Sequence, residues 1–86
     1  MRRVDFNRKQ CIKSLKKLGF IKKNTRRGKH DKFVAPNNLL ENRREGQPSF
    51  ITVPRSRQIH CQLEIQKEIW AFGGDELVKE FLDNMK

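Results

Sequence analysis

The chain has no tyrosine, one tryptophan, three prolines and two cysteines in 86 residues. Two cysteines cannot form the disulfide framework that staples small secreted domains, so Cys11 and Cys61 are expected as free thiols. No run of about 18 apolar residues occurs, which argues against a membrane-spanning helix and a membrane partner. The opening segment, MRRVDFNRKQ, lacks the apolar stretch of a secretory signal. A glycine-rich phosphate loop of the G-x-x-x-x-G-K-[ST] type is also missing. Cys11, His30, His60 and Cys61 make up the residue types of a zinc site. Their spacing, with His60 and Cys61 adjacent, does not match the paired-ligand pattern such sites use, so no metal or other cofactor is expected. Asp31 is the only acid near the basic strands, which leaves no pair of carboxylates for acid–base work or for holding Mg²⁺.

What the chain has in abundance is positive charge. Twenty Lys and Arg stand against ten Asp and Glu, a net of +10. The excess is concentrated: residues 1–35 carry thirteen cations and two acids (+11), residues 36–57 carry +2, and residues 58–86 carry −3. Charge of one sign focused on half of a small domain attracts phosphate-bearing partners, and nucleic acid is the expected one.

The apolar pattern outlines a single α+β domain over residues 1–86. Asn7, with Asp5 as the other candidate, is placed to cap a helix over Arg8–Leu18, with Cys11, Ile12, Leu15 and Leu18 on one face and Gly19 just past its end. Phe20–Arg26 and His30–Pro36 read as strands around an Arg27-Gly28-Lys29 turn, with Phe33 and Ala35 facing one side and His30, Lys32 and Val34 the other. Ser49–Val53 reads as a third strand ended by Pro54. The polar stretch Asn37–Pro48 between them is either a loop or a short turn around Leu39–Leu40. A helix over Ile59–Phe72, a stop at Gly73-Gly74 and a last helix from Asp75 to about Met85 complete an αβββαα order. A three-stranded antiparallel sheet with helices packed on one face is the expected two-layer architecture.

One constellation can carry chemistry: Arg26-Arg27-Gly28-Lys29-His30-Asp31-Lys32. A neutral imidazole is the side chain best suited to general-base work near pH 7, and cations around it can hold an RNA phosphate and stabilise a phosphorane. RNA brings its own nucleophile, the 2′-hydroxyl, so one histidine in a basic cradle can suffice for slow cleavage. His30 is the candidate catalytic residue. Lys22, Lys23, Arg26, Arg27, Gly28, Lys29, Lys32 and Arg55 are the candidate RNA-binding set.

The order of motifs resembles the HicA toxins of bacterial toxin–antitoxin systems. Leu15-Lys16-Lys17-Leu18-Gly19-Phe20 is similar to that family's helix end, Gly28-Lys29-His30 to its G-S-H signature, and Thr52-Val53-Pro54 to its third strand. The tail Glu68–Gly74 and the helix after it are similar to its C-terminal helices. Lys29 stands where the family usually has Ser, and Arg55 and Ser56 follow Pro54 where it often has a second His two positions on. The resemblance implies a fold like the double-stranded-RNA-binding domain (dsRBD-like), a ribosome-independent mRNA interferase acting in the bacterial cytoplasm, catalysis by His30, and a HicB-type antitoxin as protein partner. Two alternatives stay open: a non-catalytic RNA-binding module on the same fold, and a basic domain whose ligand is an acidic protein.

Overall fold

The computed structural model describes residues 1–23 and 28–86; Arg26 and Arg27, and with them the end of the expected first strand, lie outside the described residues. Helix α1 spans Arg8–Lys17. Asn7 caps it through a reciprocal capping box: its side chain accepts from the Gln10 N–H at 2.8 Å, and the Gln10 side chain accepts from the Asn7 N–H at 2.9 Å. The other end closes as a Schellman motif. Gly19, at φ +96°, donates to the Lys16 carbonyl at 3.1 Å, and Phe20 donates to that of Leu15 at 3.0 Å. Leu15 and Phe20 are both buried, so the apolar contact that accompanies this motif is present.

The sheet that follows has strands β1 (Ile21–Lys23), β2 (His30–Val34) and β3 (Phe50–Pro54), antiparallel in that order. Registers pair Lys22 with Phe33 and Phe33 with Ile51. Asp31, Phe33, Ile51 and Val53 are buried on the covered face, while Lys32, Val34 and Thr52 alternate with them on the open face. The first strand begins one residue later than expected, and the second begins at His30 as expected but ends two residues earlier. The third begins and ends one residue later, so that Pro54 is its last residue, in register with His30.

A short helix, α2 (Asn37–Asn42), occupies the first half of the stretch expected as a loop or a short turn around Leu39–Leu40, adding one helix between β2 and β3 to the expected αβββαα order. Leu39 is its buried anchor. Helix α3 covers Gln62–Asp83 and is broken at Gly74, so the two C-terminal helices expected from Gly73-Gly74 are found. The first starts three residues later than the apolar pattern suggests, because Ile59 reaches the core from the segment before it.

The core joins α1, the covered sheet face and α3. Phe33, Phe72 and Phe81 are fully buried, as are Leu15, Ile51, Ile65 and Ile69. Burying each such side chain is worth about 1.5–3 kcal/mol. Phe20 meets Phe72 edge-on at 5.6 Å, and Phe6 meets Phe81 in the same way. Two buried glutamines stitch the N-terminal segment to α3: Gln62 donates to the Phe6 carbonyl at 3.1 Å, and Gln66 accepts from the Val4 N–H at 2.8 Å. No helix among the described residues is long and apolar enough to cross a membrane.

Gly74 sits at φ +72°, ψ −162°, a region essentially closed to residues with a Cβ. Gly74→Ala is expected to cost about 1–3 kcal/mol. Urea unfolding should show a lower midpoint with an unchanged slope.

Candidate active site

His30 is the first residue of β2 and is exposed. Its backbone is held from the β3 side: His30 is in register with Pro54, and the Arg55 N–H donates to the Lys29 carbonyl at 2.9 Å, extending the ladder one step past the strand end. The result is a cleft of about 590 Å³ lined by Gly28, Lys29, His30, Pro54, Arg55 and Ser56. Gly28 enters it at φ +116°. Residues that carry an imidazole, an ammonium and a guanidinium therefore border one space, groups that can bind a phosphodiester.

Beneath this cleft lies a charge cluster. Asp31 follows His30 on the chain, so its side chain turns to the covered face, where it is 4% exposed. Arg55 Nε donates to its Oδ1 at 2.9 Å, Arg8 pairs with its Oδ2, and Lys22 Nζ stands 3.9 Å from the same oxygen. Arg8 also donates through Nε to the Pro54 carbonyl at 2.9 Å. Burial pushes the Asp31 carboxyl up, but the Arg55 hydrogen bond and the charges of Lys22, Arg55 and Arg8 outweigh it and hold the group below its ordinary value. Half-buried Glu68, for which burial is the sole cause, is instead pushed up to about 7. The cations around Asp31 thus outweigh the burial that would otherwise raise it.

The expected RNA-binding residues are distributed unevenly. Gly28, Lys29 and Arg55 share the cleft with His30. Lys23 and Lys32 pair across β1 and β2 on the open sheet face, where Lys32 Nζ lies 4.2 Å from the centre of the Phe50 ring. Lys22 belongs to the opposite face and to Asp31. Arg26 and Arg27 lie outside the described residues. Sequence reasoning missed the role of Arg8 and the burial of Asp31. The signal for Asp31 was available, because it is two residues before Phe33 and shares its strand parity.

Among the described residues, no group of three His, Cys, Asp or Glu converges as a metal site would require. Cys11 is buried in the core, where burial, followed by the nearby Cys61, pushes its thiol up to about 12, far from the thiolate that a nucleophile or metal ligand needs. Comparison with family models, with curated proteins and with solved structures finds no match.

Because the folded Asp31 carboxyl titrates below its unfolded value of about 3.9, its contribution is complete above that value and is lost as pH falls through the folded one. Asp31→Asn is expected to lower stability at pH 7 by about 1–3 kcal/mol, since it leaves Arg8 and Arg55 without their counter-charge. Thermal melts between neutral pH and pH 3 should show the gap to wild type narrowing in acid.

Proposed function

We propose that the chain is a metal-independent endoribonuclease that cleaves mRNA at the His30 cleft, on a dsRBD-like scaffold of the HicA toxin kind. What carries the reading is the cleft that His30 shares with Lys29 and Arg55. A site for phosphate binding alone would gain more from another cation than from an imidazole.

The reaction follows from these groups. Neutral His30 accepts the proton of the 2′-hydroxyl as the 2′-oxygen attacks the adjacent phosphorus. Lys29 and Arg55 stabilise the negative charge that builds on the phosphorane oxygens. The bond from phosphorus to the 5′-oxygen breaks, and that oxygen takes a proton from the imidazolium. The products are a 2′,3′-cyclic phosphate and a 5′-hydroxyl. DNA, which lacks the nucleophile, is left intact. In the bacterial cytoplasm such an activity needs restraint. On this reading its partner is a HicB-type antitoxin whose acidic side chains cover the cleft and exclude RNA.

Purified protein incubated with mRNA in EDTA should cut it and leave these ends. His30→Ala should lose cleavage by about 10²–10⁴-fold while keeping its fold and most RNA binding, since the exposed imidazole leaves no cavity behind. Lys29→Glu should weaken RNA binding itself. Cleavage abolished by EDTA and restored by Mg²⁺, or His30→Ala cutting at the wild-type rate, overturns the mechanism. RNA bound but never cut makes the chain a binding module.

A further inference from the structure

A second cleft adjoins the first, with Arg55 lining both. Asn7, Arg8, Lys9, Ile12 and Arg57 complete its walls, and it encloses about 490 Å³. Its four cations are not equivalent. Arg8 and Arg55 are bound to Asp31, but among the described residues no carboxylate pairs with Lys9 or Arg57. Both are exposed side chains at the rim of a concave surface, where like charges repel unless an anion comes between them. Helix α1 adds no acid in its first turn. The ligand this cleft suits is an anion, and Arg55 makes it continuous with a cleft suited to another anion.

We infer that this second cleft is a flanking subsite, holding a phosphate next to the scissile one on a single-stranded RNA. The inference rests on the ribonuclease reading of the His30 cleft and adds the strand state of the substrate and a second point of contact. RNA supplies one phosphate per nucleotide on a single flexible molecule, so neighbouring phosphates can reach both sides of Arg55. Displacement at phosphorus requires the 2′-oxygen, the phosphorus and the departing 5′-oxygen in line. A stacked A-form duplex holds the 2′-hydroxyl out of that line, so the linkage cut has to be unstacked. Half-buried Ile12 gives the subsite an apolar wall beside its charges.

The test is fluorescence anisotropy with a short 2′-O-methyl oligoribonucleotide, which binds but lacks the free nucleophile, measured across about 50–200 mM salt. The double variant K9Q/R57Q is expected to bind severalfold more weakly. The slope of log affinity against log salt should fall by about 0.7–1.4, as one or two phosphate contacts are lost. K9R/R57K, which keeps both charges, should retain wild-type binding, and wild type should prefer the single strand to a duplex of equal length. An affinity and slope unchanged in K9Q/R57Q overturn the subsite, as does a preference for duplex. Loss of polyglutamate binding without loss of RNA binding also overturns it and assigns the cleft to an acidic protein. If K9Q/R57Q weakens binding but wild type cuts no RNA, the phosphate contact stands and the proposed chemistry fails. If wild type cleaves and K9Q/R57Q binds as wild type does, only the subsite fails.

Discussion

A carboxylate that is 4% exposed stays ionised only when cations close around it, because burying an unpaired charge costs several kcal/mol. Asp31 meets that condition with Arg8 from the start of α1, Lys22 from β1 and Arg55 from just beyond β3. Three segments distant in sequence are thereby fixed to a point one residue from His30. Arg8 binds the Pro54 carbonyl as well as Asp31, so the first turn of α1 is tied to both β3 and β2. Moving any of the three would leave a buried carboxylate short of a partner. The geometry of the cleft therefore depends on a charge that is not itself in it.

Arg8 can reach Asp31 only if α1 begins where it does, and the segment before it is what sets that start. Residues 2–6 run along α3, held by Gln62 and Gln66 through backbone groups of Arg2, Val4 and Phe6, with Phe6 packed edge-on against Phe81. Phe6 immediately precedes the Asn7 cap. The C-terminal helix thus positions the start of α1, and the start of α1 positions the floor of the cleft. The acidic third of the chain has a part in the site without contributing a residue to it.

Local signals in the sequence were enough for α1, whose cap at Asn7 and stop at Gly19 are encoded within a few residues of each end. The break at Gly74 was legible for the same reason. Helix α2 was not, because six residues with one buried leucine carry no periodicity to detect. The three strands and the cleft residues Gly28, Lys29, His30 and Arg55 were in reach of turn chemistry and alternation. Which of the remaining lysines belong with them was not. Lys22 and Lys23 look alike in sequence, yet strand parity sends one to Asp31 and the other to the open face. Arg8, 23 residues from Asp31, and the two glutamines are long-range partners, and no spacing rule announces them.

The cluster orders its cations without cancelling them. Three positive groups surround one carboxylate, so it keeps a positive excess directly under a cleft that already holds Lys29. A phosphate in that cleft is attracted at short range, where screening over about 8 Å of physiological salt has little effect. Arginine at position 55 suits this arrangement. Its charge does not titrate near neutral pH, and its planar fork has five donors, of which Nε is given to Asp31. A histidine there would hold Asp31 firmly only when protonated, and the floor of the cleft would then loosen as the pH rises toward neutral. With a permanent cation there, Asp31 and its arginines keep the shape of the cleft whatever the protonation of the groups inside it.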